Sequence, residues 1–131
     1  MIDKEGMMSL MVDACPSFQN VWEQFLQEWR DEPELPVYIA LGQLASHLVT
    51  MLATGDTSRF AEIFAVVERW HLEGNAYVRE AATVGVLEGL QNENLHSGTN
   101  PAQFEQFLLP ESRKWWTKVK RFWDHGEIIA E

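Results

Sequence analysis

A single cysteine, Cys15, in 131 residues leaves no partner for an intramolecular disulfide. No nucleophile motif surrounds it, so it reads as a small buried residue. No apolar run reaches the ~18–20 residues needed to cross a bilayer. The opening residues, Met1-Ile2-Asp3-Lys4-Glu5-Gly6, carry acids where a secretion leader carries bases, and no small-residue cleavage site follows. The chain therefore reads as cytoplasmic. Basic residues are scarce: 10 Lys and Arg stand against 20 Asp and Glu, a net charge of −10. Such a surface repels nucleic acid and anionic membranes and attracts basic proteins.

The signatures of chemistry are also thin. His47, His71, His96 and His125 lie on four different segments, and no His-Glu-x-x-His pair or zinc cluster occurs. A di-metal helical bundle needs two Glu-x-x-His motifs and two further glutamates. Only Glu68–His71 has that spacing, and its ordinary reading is an exposed pair on a helix. Phosphate-cradling glycine loops and serine elbows are missing. Gly85-x-x-x-Gly89 fits close helix packing. Any two carboxylates could meet in space for acid–base work, but nothing marks a pair. No catalytic residue, metal or cofactor is expected, and the chain is not expected to be an enzyme.

What is present is helix periodicity in an ordinary globular composition, 46% hydrophobic and 23% charged. Residues 4–14 predict a weak helix with Leu10, Met11 and Ala14 facing inward, whose methionine content (Met7, Met8, Met11) suits an adaptable, partly exposed contact. After Pro16, the residues Phe18, Val21, Trp22, Phe25, Leu26 and Trp29 recur with a 3.6-residue period. The prolines at 33 and 36 predict a loop. A helix follows over 37–54 with Ile39, Leu41, Leu44, Ala45, Leu48, Val49 and Leu52 inward. Gly55 ends it, and Asp56 or Thr57 caps the next. That next helix carries Phe60, Ile63, Phe64, Val67 and Trp70 to a stop at Gly74. Asn75 caps a helix over 76–91 that is small and apolar around most of its circumference. Val78, Ala81, Ala82, Gly85 and Leu90 line one side, and Tyr77, Val84, Val86 and Leu87 widen the arc. Such a helix must sit between others. A short helix after Asn100-Pro101 holds Phe104, Phe107 and Leu108. The last helix, 111–124, holds Trp115, Trp116, Val119, Phe122 and Trp123, and the tail beyond Gly126 is expected to fray. The fold class is all-α: one helical domain over 1–131 with six or seven helices. A compact bundle and HEAT-like stacked helical hairpins both fit.

Charge and aromatics distribute unevenly. Residues 113–131 hold five bases and three acids, a net of +2, which leaves −12 on the rest. Glu23, Glu28, Asp31, Glu32 and Glu34 crowd the first proline loop; Glu88 and Glu93 flank the end of the 76–91 helix. A run of this kind is usually a solvated face, kept for solubility. It can also act as a phosphate mimic in a basic cleft. Six tryptophans mostly occupy apolar stripes. Trp115 and Trp116 point ~100° apart on a helix, so one of them reaches the surface. Arg113, Lys114 and Lys118 suit cation–π packing there. A partner anchor is the functional alternative.

Two stretches carry a family likeness. Tyr77-Val78-Arg79-Glu80-Ala81-Ala82-Thr83-Val84-Gly85, with Leu87-Glu88 and Leu90-Gln91-Asn92, is one. Phe107-Leu108-Leu109-Pro110-Glu111-Ser112-Arg113-Lys114-Trp115-Trp116, with Phe122-Trp123, is the other. Together they cover about a third of the chain. They resemble motifs of small bacterial proteins that look like immunity proteins of toxin systems, including contact-dependent inhibition. The resemblance implies a small helical protein that binds a cognate toxin domain and blocks its active site. A basic nuclease domain is the expected partner, met by Glu28, Asp31, Glu32 and Glu34, then Glu88 and Glu93. The alternative is a helical adaptor that takes a partner peptide in a groove between helices.

Overall fold

A computed structural model describes residues 1–130. The N-terminal helix α1 (Lys4–Ala14) begins where the Asp3 carboxylate accepts the Gly6 N–H at 2.8 Å. Met11 faces inward as expected, and Met7 and Met8 are wholly buried as well rather than partly exposed. Helix α4 (Phe60–Glu73) supplies the reason. The Trp70 indole N–H donates to the Met7 carbonyl at 3.2 Å, and the Ile2 backbone bonds across to Glu73 and Asn75. The first fourteen residues are thus docked on α4, where unbranched methionines fill the space beside the buried Trp70 ring.

A 3₁₀ turn at Pro16–Phe18 leads into α2 (Gln19–Glu28), whose Phe25 is buried and whose Val21, Trp22, Leu26 and Trp29 pack half-buried around it. The loop 29–36 follows, then α3 (Val37–Ala53). Ile39 is exposed, not inward, because the core-facing stripe of α3 runs through Val37, Ala40, Leu41, Leu44 and Leu48. Gly55 stops α3 in the left-handed region at φ 76°. Neither Asp56 nor Thr57 caps α4: a turn intervenes, Arg59 precedes the helix, and the Phe60 N–H reaches only the Thr57 carbonyl.

Asn75 caps α5 (Ala76–Glu80) through the Val78 N–H at 2.9 Å. The chain then continues without a break through a π-wound stretch (Ala81–Leu87) into α6 (Glu88–Gln91). The Glu88 N–H reaches back five residues to the Thr83 carbonyl. This wider winding advances each residue by less than the ~100° of an α-helix. It turns Val84 to the surface, where a 3.6-residue extrapolation buries it, and brings Thr83 inside. Close packing against α3 accompanies the winding. A Cβ at Gly85 would lie 2.6 Å from Leu41 Cδ1, and one at Gly89 would lie 2.9 Å from the Ala45 Cβ. Helix α3 therefore runs parallel to this central rod, separated from it in sequence by the antiparallel α4.

The segment after the rod is short 3₁₀ structure: Glu93–Leu95, then Pro101–Phe107, opened by the Gln103 side chain accepting the Asn100 N–H at 2.7 Å. Phe104 and Phe107 meet Phe60 and Phe64 with ring centroids 5.0–6.0 Å apart. Helix α7 (Pro110–His125) closes the structure over α4 and the central rod, ending at Gly126 with φ 69°. The tail does not simply leave the body, because Ile129 packs against the core. Among the described residues there is no β-strand, and one hydrophobic core joins α1, α3, α4, the central rod and α7, with Val21 and Trp22 of α2 packed against it, so the architecture is an all-α bundle. Among the described residues, no helix is long and apolar enough to cross a membrane.

Candidate functional site

The tightest cluster of chemical groups is largely buried. Glu68 is buried on α4, and its carboxylate accepts the N–H groups of Glu111 and Ser112, at 2.9 and 2.8 Å, and the Ser112 hydroxyl at 2.8 Å. Those N–H groups are orphans of the first turn of α7, which has no capping side chain of its own. Glu68 caps that helix from another helix, and its negative charge sits at the positive end of the α7 dipole. His71, one turn on, bonds the Ser112 Oγ through Nδ1 at 3.1 Å and the Thr83 Oγ1 through Nε2 at 3.0 Å. With the Ser112 hydroxyl donated to Glu68, Oγ accepts from His71 Nδ1–H, and Nε2 accepts from Thr83. Desolvation pushes the imidazole down to about 4, despite the Glu68 charge. His71 is thus neutral near pH 7. The Glu-x-x-His spacing that reads as an exposed pair is a buried joint between α4, α7 and the central rod. Ser112 is wholly buried within this joint. No three His, Cys, Asp or Glu side chains among the described residues are placed to share a metal ion.

The acids named from the sequence fall at two ends of the molecule. Glu28, Asp31, Glu32 and Glu34 are all exposed on the end of α2 and the loop after it. Glu34 pairs with Lys4 at 2.6 Å, and the Lys4 ammonium also lies over the Tyr77 ring. The pairing holds the Glu34 carboxyl below its ordinary range. It also ties the loop to α1 and to the start of the central rod, beside the Tyr38–Tyr77 edge-to-face pair. No ion pair among the described residues engages Glu28, Asp31 or Glu32. The loop also leaves the Trp29 indole N–H buried without an acceptor.

Glu88 lies at the other end of the rod, roughly 16 Å from Tyr77 at ~1.5 Å per residue, and Glu93 follows just beyond it. They do not join the loop acids. Glu88 is half-buried, and desolvation raises its carboxyl. Glu93 is exposed and borders an open groove of about 600 Å³ between the 91–105 segment and α7. Trp116 forms its floor. The Trp116 indole N–H donates to Glu105 Oε2 at 3.1 Å, and its carbonyl accepts from Gln91 Nε2 at 2.9 Å. Trp123, two turns further along α7, stands half in solvent at its rim, edge-on to Phe122. Lys120 and Asp124 complete that wall.

Fewer tryptophans are core than their apolar stripes imply. Trp70 and Trp116 are core; Trp22, Trp29 and Trp115 are half-buried. Trp115 is the partner that reaches outward, and Lys118 and Lys114 sit 4.5 and 5.3 Å from its ring centroid. Sequence reasoning missed the groove, since Gln91, Glu105 and Asp124 belong to three separate segments. One signal was available: the apolar stripe of α7 runs through Trp116 and Val119 to Trp123, which stands half in solvent.

No curated protein and no solved structure matches the chain. A family described as Domain of unknown function (DUF7674) matches residues 8–124, and the chain belongs to that family.

Proposed function

We propose that the protein is an immunity protein, which binds a basic toxin domain and occludes its active site without reacting with it. The observation that carries this reading is the unneutralised acidic loop. Glu28, Asp31 and Glu32 are exposed and in no ion pair among the described residues, while Glu34–Lys4 ties the loop to α1 beside the Tyr38–Tyr77 pair. Fixed negative charge of this kind speeds encounter with a positive cleft. A few desolvated anchors then set the lifetime of the complex. A nuclease domain fits, since a cleft built for an anionic substrate is basic. The toxin assignment itself draws on the likeness of the two motifs to immunity proteins.

The test is a titration of the purified chain against the variable C-terminal domain of a secreted protein encoded beside it. The reading expects a 1:1 complex of nanomolar affinity or tighter, loss of the domain's activity, and an association rate that falls steeply between 50 and 500 mM salt. Failure to bind at low salt and at high salt alike removes it. The adaptor reading draws on the groove beside Trp123 and expects affinity unchanged when Asp31 and Glu32 are reversed in charge.

A further inference from the structure

The groove at the far end of the rod has features that the acidic loop lacks. Gln91 is only 7% exposed, yet it lines the groove. Its Nε2 is committed to the Trp116 carbonyl, which fixes the amide plane. Its Oε1 accepts no hydrogen bond from any described residue. Water or a ligand in the groove must satisfy it. Glu105 is held in the same way: Oε2 takes the Trp116 indole N–H, and Oε1 is left for the groove. Glu93 and Asp124 add two further carboxylates against the single cation Lys120. Trp123 contributes an aromatic face that water alone does not use.

Fixed acceptors, surplus negative charge and an indole wall define one kind of guest. It is planar, cationic and rich in N–H donors. We propose that the groove receives an arginine side chain from a basic partner protein, with Gln91 Oε1 and Glu105 accepting its N–H groups and Trp123 stacking on the guanidinium. A lysine presents a point charge and no plane to stack, so it fits less well. The inference rests on the reading that the partner is a basic protein and adds where that partner is gripped.

The experiment titrates the uniformly ¹⁵N-labelled chain with a tetra-arginine peptide and with tetra-lysine, following the six indole N–H signals. The Trp116 and Trp123 signals should move while those of Trp22 and Trp29 stay. Glu105→Gln, which keeps an acceptor for Trp116, and Trp123→Ala should each weaken tetra-arginine binding tenfold or more. Asp31→Asn with Glu32→Gln should leave it within twofold. Equal binding of tetra-lysine, equal weakening by the loop variant, or still Trp116 and Trp123 signals at millimolar peptide would overturn the assignment. A chain that neutralises its neighbouring toxin domain undiminished by Glu105→Gln and Trp123→Ala would also overturn it, and would leave the immunity reading standing. Groove shifts with arginine, in a chain that ignores that domain, would support the groove and sink the immunity reading.

Discussion

Replacing Glu68 tests how the fold is joined. In Glu68→Gln one amide oxygen must serve two backbone N–H groups and a hydroxyl, and the new NH₂ faces donors instead of acceptors. Hydrogen bonds to a charged group contribute about 1.5–3 kcal/mol each, and an orphaned buried donor costs about 1–3. Loss of a helix cap costs about 0.5–2. These overlap, so the expected destabilisation is about 2–4 kcal/mol, a large part of the 5–15 kcal/mol typical of a domain. With a urea m-value of about 1–3 kcal/mol/M, the midpoint should fall by about 1–2 M. Urea titrations followed by tryptophan fluorescence and far-UV circular dichroism measure this. Glu62→Gln, exposed on the same helix, should change stability by less than about 0.5 kcal/mol. A Glu68→Gln midpoint within about 0.3 M of the parent's would refute the cap as a structural joint.

The remaining predictions use the same denaturation assay. Gly42→Ala should stabilise by about 0.5–1 kcal/mol, because a Cβ there meets nothing and a helix-interior glycine costs that much. Gly85→Ala should destabilise by about 1–3 kcal/mol through its clash with Leu41. His71 has a folded value of about 4, below the unfolded value of about 6.5, so the unfolded chain takes up the proton first. Its share of stability is whole above pH 6.5 and is lost as pH falls toward 4, in total about 3 kcal/mol. A His71→Gln variant should lose that part of the pH dependence. Trp29→Phe removes the unsatisfied indole N–H and should change stability by less than about 1 kcal/mol.

Much of the architecture was legible from pattern. The α4 stripe through Phe60, Ile63, Phe64, Val67 and Trp70 is wholly buried, and the caps at Asn75 and Gly126 act as their residue types suggest. What was not legible depends on partners distant in sequence. Met7 and Met8 look semi-exposed until Trp70 covers them, 63 residues from Met7. The π winding at Ala81–Leu87 follows no local propensity, and with it the positions of Val84 and Thr83 changed. Glu68 and His71 show a familiar spacing, but their role depends on Ser112 arriving from α7. Of the candidate site, the acidic loop could be read directly as a charge run between prolines. The separation of Glu88 and Glu93 from it, and the meeting of Gln91, Glu105 and Trp123, required the parallel placement of α3 and the rod and the packing of α7 across its end.

The claim that this molecule protects by binding is tested most directly in growing cells. The proposed toxin domain, the variable C-terminal domain of a secreted protein encoded beside the chain, is expressed with the wild-type chain, with an Asp31→Lys/Glu32→Lys variant, or with neither, and colony survival is counted. Rescue by the wild type that drops at least tenfold with the reversed charges, at equal protein level, is the predicted result. Survival that is the same with and without the chain would contradict the account.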